Sequence, residues 1–444
     1  MNILLEAHLD DISSPANLRI NDQIREYREY CRAHGCTRPY HHFAFGQSPF
    51  PPPPPIIEAL AANAAKHDYL PTAGLPELRD AIAAFYRRHF DLDCTGDRVV
   101  VSPGSKGMIS ILLSALQGTV VIPVPAWVSY LPQAKILKKE VVSIRTRRED
   151  GFRLTPDLLK NGLERCGAGQ NILILNHPCN PTGVVYSESE LEGLADICRL
   201  HGVVVISDEI YALTSFETDG FTSMGKVYPE GTIVTGGLSK DRSCGGYRLG
   251  VGIFPESPSR LREDVVKLGG STYSCVASPV QYAALKAYST DAAVEEYMRD
   301  CRTLNSLVGR RMASLLSELP GVRTTTPQGG FYLYVDFSDL RDRFKAVGVD
   351  SCDEFARHLL QIEHTALLPG TALLLPDDDF SVRCSFVDYD GAKALAEWRG
   401  NPPRTSEEED AFIRAHCPLV VDGVGYVGRY LDQIRRGLRP EHVM

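Results

Sequence analysis

Short apolar runs, most of them β-branched, recur through the middle of the chain at residues 120–124, 172–175, 203–206, 233–235 and 251–254. Each reads apolar on both faces, and the stretches between them are long enough for helices. That pattern predicts a buried, largely parallel sheet with helices on both sides. Upstream, a polar helix is expected over 17–34 and an alanine-rich one over 56–66. An amphipathic helix follows from 77 to about 89, with Pro76 at its start. A strand at 99–101 then runs into the turn Ser102-Pro103-Gly104-Ser105-Lys106-Gly107 and an apolar helix. The five prolines 51–55 predict extended polyproline II, because proline fixes φ and lacks a donor; a stiff connector is favoured over a ligand for a proline-reading module.

Apolar positions 294, 297, 298, 301, 304, 308, 312, 315 and 319 keep helical spacing and predict one long helix leading out of the sheet region. A second region follows, with a strand at 330–337, a helix at 352–362, a strand at 381–386 and a closing helix at 424–434. Residues 400–415 read as a polar surface insertion, and Asp377 to Asp379 as a solvated turn rather than a calcium loop. The expected fold is α/β: a large domain with a mainly parallel, seven-stranded-type sheet flanked by helices, plus a smaller α+β domain from the N- and C-terminal segments. The expected divisions are 1–45, 46–293 and 294–444.

Composition narrows the function classes. The 444 residues carry a formal net charge of −9, which disfavours nucleic-acid binding. The first residues lack the cationic lead of a secretory signal, and no apolar segment approaches a membrane span. The 12 cysteines include no CxxC pair; Cys31 and Cys36 come nearest, and nothing completes a zinc set. A reducing, cytoplasmic location with no metal is expected. His41 and His42 read as packing or surface residues rather than ligands.

The unusual residues follow the predicted strands: Trp127 the first, Asn180 the second, Asp208 and Tyr211 the third, Lys240 the fourth. In open α/β sheets ligands bind beyond the carboxyl ends of the strands. The stretch 236–250, GGLSKDRSCGGYRLG, places Lys240 eight residues before Arg248. A lysine amine forms a Schiff base with an aldehyde, and an arginine fork matches a phosphate. The glycine-containing turn at 102–107 is an anion site by geometry, although taken alone it reads as a plain connection.

Seven spaced motifs resemble the fold-type I pyridoxal-phosphate enzymes, specifically the class I/II aminotransferases: YLPTAGLPELR at 69–79, PAWVSY at 125–130, NHPCNPTG at 176–183, SDEIY at 207–211, SK…RLG at 239–250, GGFY at 329–332 and SVRCSF at 381–386. The resemblance implies pyridoxal 5′-phosphate as cofactor, an amino acid and a 2-oxo acid as substrates, and a homodimer. It implies Lys240 as the Schiff-base lysine that also moves the α-proton, and Asp208 as the carboxylate facing the ring nitrogen, its pKa depressed by that positive partner. Tyr211 and Asn180 resemble the pair on the ring oxygen, and Trp127 the stacking aromatic. Arg248, Ser239, Ser105 and Lys106 resemble the phosphate cup. Tyr69 resembles the tyrosine that reaches a phosphate across a dimer interface. Arg383, with Gly46 nearby, resembles the clamp on the substrate carboxylate. Two departures stand out. Gly237 occupies a position where many relatives carry a hydroxyl for the phosphate. The apolar segment 371–376 is expected to close or grease the substrate pocket, which favours aromatic or aliphatic substrates. A lyase or cyclase on the same fold, or a non-catalytic cofactor-sensing regulator, are the rival readings.

Overall fold

The computed structural model describes residues 6–10, 12, 16–33, 35, 39–216, 220–257 and 259–439. The β-branched runs become the strands of a seven-stranded sheet: β1 (Val99–Ser102), β2 (Thr119–Val124), β3 (Val141–Arg145), β4 (Asn171–Asn176), β5 (Val204–Asp208), β6 (Thr232–Gly237) and β7 (Gly250–Ile253). Their order is β1-β7-β6-β5-β4-β2-β3. The pairings among β2 to β6 are parallel, while β7 runs antiparallel to both its neighbours. Buried apolar residues on both faces meet helices there, as the continuous hydrophobic runs require.

A second, antiparallel sheet forms from β8 (Arg323–Thr324), β9 (Tyr332–Asp336), β10 (Leu368–Pro369) and β11 (Ser381–Ser385), in the order β10-β11-β9-β8. The helix Ala292–Ser317 leads to it from the large sheet. The N-terminal segment joins this half of the chain, because His41–His42 pairs in parallel with Thr365–Ala366. His41 is fully buried there, packed near Phe43 and Tyr426.

Several expectations change. The proline run is extended only at first: the helix Pro54–Ala62 begins on Pro54 and Pro55, since the first helical turn needs no amide donor and proline presets its φ. Strand β3 escaped the sequence reading; it is a half-exposed edge strand without the apolar run of its neighbours. The polar stretch before 415 contains the helix Ser406–His416, capped by Thr405, which buries Phe412 and Ile413. Asp379 is not in a solvated turn: its carboxylate is buried and paired with Arg145. The 17–34 helix is present as Ala16–Ala33, with His34 outside the described residues. Cys36 also lies outside them.

Candidate active site

A cavity of roughly 440 Å³ opens beyond the carboxyl ends of β2, β4, β5 and β6. Gly46, Ser105, Lys106, Trp127, Asn180, Asp208, Tyr211, Ser239, Lys240, Arg248 and Arg383 all line it. Eleven candidates drawn from stretches hundreds of residues apart thus share one space. Tyr69 does not join them; its side chain is 88% exposed at the surface.

Asp208 ends β5 and is 3% exposed. The Tyr130 hydroxyl donates to its Oδ2 at 2.6 Å, and Thr235 on β6 donates to Oδ1 at 3.4 Å. Asn176, at the end of β4, braces the strand ends: its Nδ2 donates to the Asp208 carbonyl at 2.8 Å and its Oδ1 accepts from the Asn180 amide at 2.6 Å. Burial pushes the Asp208 carboxyl above its ordinary value, outweighing Tyr130, the Ile210 amide, Thr235 and the Lys240 charge. The depression that the sequence reading expected comes from the cofactor's positive ring, a charge outside this chain. The chain's own donors do not offset the loss of hydration, so a depressed value requires a cation against the carboxylate.

Lys240 follows β6 and donates to the Gly46 carbonyl at 2.9 Å. Its ammonium lies 5.3 Å from the centre of the Tyr211 ring. Arg248 sits in the left-handed region at φ 54° and donates to the carbonyls of Gly245 and Pro103. Gly104, at φ 81°, caps the helix Ser105–Ala115; a Cβ there would stand 2.3 Å from Arg248 Nη2. The helix start and the guanidinium therefore meet with no side chain between them. Lys106 lies 5.2 Å over the Trp127 ring, and burial, then the Arg248 charge, lower its pKa.

Arg383 projects from β11 and is also 3% exposed. Its Nη1 donates to Asn180 Oδ1 at 3.1 Å and its Nη2 to the Ala44 carbonyl at 2.5 Å, while Nε is buried without an acceptor. The guanidinium lies 4.3 Å from the Tyr332 ring centre. Among the described residues, Lys106, Lys240, Arg248 and Arg383 form no ion pair. Four cations thus share the cavity with the Asp208 carboxylate, and the arrangement suits anionic ligands.

Sequence reasoning assigned no role to Tyr130 or Tyr332, although each closes a motif it quoted. Tyr332 Oη lies 2.9 Å from Tyr211 Oη, and it donates to the Gly46 carbonyl at 3.4 Å. Burial is the largest influence on the Tyr332 phenol and raises it. Lys240, Arg383 and the Tyr211 hydroxyl together reverse that and leave it below its ordinary value. The departures also resolve. A Cβ on Gly237 would stand 2.7 Å from the Leu249 carbonyl, so this backbone has no room for a hydroxyl side chain. Segment 371–376 does not line the cavity; Leu373 and Leu375 pack into a core with Tyr40, Ala44, Val128 and Tyr334. The apolar lining inferred from that segment is therefore absent, and with it the argument for aromatic or aliphatic substrates.

The profile of the family described as aminotransferase class I and II matches residues 39–397. An aspartate aminotransferase of Geobacillus stearothermophilus is 32% identical over 352 residues, 77% of this chain and 85% of that protein. An asparagine–oxo-acid transaminase of Streptococcus mutans is 30% identical over 78% of this chain and 86% of its own length. The structure of Thermus thermophilus aspartate aminotransferase with maleate superposes with a TM-score of 0.79, covering 96% of this chain and 100% of that one at 24% identity, a likeness of fold.

Proposed function

The chain belongs to the class I and II aminotransferases, and from that premise we propose that its cavity holds pyridoxal 5′-phosphate beside Lys240. It is an enzyme of amino-group transfer between amino acids and 2-oxo acids. The observation that carries the cofactor assignment is the buried Asp208 carboxylate, raised by burial and served by too few donors, in a cavity with four cations that form no ion pair among the described residues. The bare helix start at Gly104 beside Arg248 fits a phosphate. Bound there, the cofactor supplies a protonated ring that accepts the charge left when a substrate loses its α-proton.

The chain's own groups divide the remaining work. Asp208, held by Tyr130 and Thr235, offers the anion that keeps a ring nitrogen protonated. Trp127 presents an aromatic face to the same space. Asn180 spends its Oδ1 on Arg383, which leaves its Nδ2 to donate to a ring oxygen; the Tyr211 hydroxyl, which donates to Tyr332 Oη in this structure, would turn to the same oxygen. Arg383 keeps Nε and further N–H groups for a carboxylate, and its guanidinium is held over the Tyr332 ring. The Lys240 amine, oriented by the Gly46 carbonyl, carries the proton to and from the substrate α-carbon.

Aspartate is our first assignment for the amino donor. The G. stearothermophilus relative carries that name, and Lys106 gives the cavity a cation that pairs with no carboxylate among the described residues. A homodimer is part of the proposal, with the exposed Tyr69 completing the phosphate site of a second copy. So are a cytoplasmic location and the division at residues 46 and 294. No helix among the described residues is long and apolar enough to cross a membrane. Borohydride reduction of the cofactor-loaded protein, followed by peptide mass mapping, tests the assignment. The added mass is expected on Lys240; a label on another lysine, or none, contradicts it.

A further inference from the structure

A second cavity of roughly 680 Å³ adjoins the turn that carries Asn180, and it exceeds the first in volume. Its cationic lining comes from three stretches of chain: Arg148 and Arg153 after β3, Arg310 on the helix Ala292–Ser317, and Arg323 on β8. Asp336 is the one carboxylate among the lining residues. Arg148 pairs with Asp336 at 2.5 Å, Arg323 with Asp339, and Arg153 approaches Glu190 at 3.5 Å. Arg310 forms no ion pair among the described residues. Even with the outlying Asp339 and Glu190 counted, the arginines exceed the carboxylates. Each paired guanidinium also retains N–H groups beyond those its carboxylate takes.

The wall is preformed. Gln328 Oε1 accepts from Arg153 Nη2 at 2.6 Å and from the Val185 amide at 3.1 Å, and the Gln328 amide donates to the Gly183 carbonyl at 2.8 Å. Phe152 packs edge-on against Tyr334 with ring centres 4.7 Å apart, giving the space an apolar side. Excess cationic forks around a fixed, concave surface match small anions that present several oxygens. We propose that this cavity is a second ligand site, separate from the Lys240 cavity, for a small organic polyanion carrying two or more carboxylate or phosphate groups.

Isothermal titration of the cofactor-loaded protein at low salt, with pyrophosphate in one series and citrate in another, tests this. Saturable binding of at least one probe is expected, and the probe preferred tells phosphate from carboxylate chemistry. Arg310→Glu and Arg323→Glu are each expected to weaken it tenfold or more while leaving basal turnover unchanged. Arg383→Ala, in the other cavity, should leave it intact. Absence of saturable binding by both probes overturns the proposal. So does binding that survives both glutamate substitutions or is lost with Arg383→Ala, because the anion is then held in the Lys240 cavity. Thermal unfolding of each variant identifies loss through misfolding; charge-neutral Arg310→Gln then replaces a variant that fails to fold.

Discussion

Replacing Tyr130 by phenylalanine removes one hydroxyl and keeps the ring. That hydroxyl donates to Asp208 Oδ2 at 2.6 Å, and both side chains are buried. Losing a donor to a buried carboxylate costs about 1.5–3 kcal/mol. The cost should depend on pH in a definite sense. Burial already raises the folded pKa of Asp208, with the Tyr130 bond among the opposing influences. A group whose pKa is higher in the fold stabilises the fold while protonated, and that contribution is lost as pH rises through the folded value. Without the Tyr130 hydroxyl the folded value climbs further. The destabilisation therefore falls on the side where the carboxylate must ionise and fades where folded Asp208 keeps its proton. Urea unfolding of the cofactor-free protein is the assay. The Tyr130→Phe midpoint is expected to drop further below wild type at the higher of two pH values than at the lower. The same substitution should weaken cofactor binding about tenfold or more, since about 1.4 kcal/mol is a factor of ten. An equal loss of stability at both pH values, or none at either, refutes the reasoning.

Glu209 offers a second pH test: burial pushes its carboxyl up to about 7, and its Oε2 has no hydrogen-bond partner. Its stabilising share is complete below the ordinary carboxylate range and is lost as pH rises through 7, so Glu209→Gln should flatten the decline in stability over that window; an unchanged pH profile contradicts this. Arg383→Ala is expected to raise KM for amino and oxo acids about tenfold to a hundredfold, from about 1.5–3 kcal/mol of lost charge-assisted bonding, and an unchanged KM counts against the clamp. Gly237→Ser should not add a phosphate contact: its Cβ would crowd the Leu249 carbonyl, and a loss of about 1–3 kcal/mol in unfolding is expected, whereas a tighter-binding variant of full stability contradicts it.

Which parts were legible follows from how far each signal reaches. Apolar runs mark a strand buried on both faces, so β2, β4, β5 and β6 stood out and the edge strand β3 did not. Strand ends collect ligand residues in this architecture, so the sequence alone brings Trp127, Asn180, Asp208 and Lys240 together. The Tyr130–Asp208 bond spans 78 residues and leaves no periodic trace. Proline rules describe Pro51 to Pro53 well, but proline is equally suited to a first helical turn, where Pro54 and Pro55 sit. The leucines after Gly370 illustrate the remaining limit: apolar character says that a segment is buried, and only packing shows that it faces Tyr40 and Tyr334 rather than the Lys240 cavity.

The most direct test of amino-group transfer mixes the cofactor-loaded protein with L-aspartate in the absence of any 2-oxo acid and counts product per site. Transfer through Lys240 gives about one equivalent of 2-oxo acid per site and then stops, with the cofactor recovered in its aminated form. Continued product release without an acceptor, with the cofactor unchanged, contradicts transfer and assigns the same residues to elimination or ring closure.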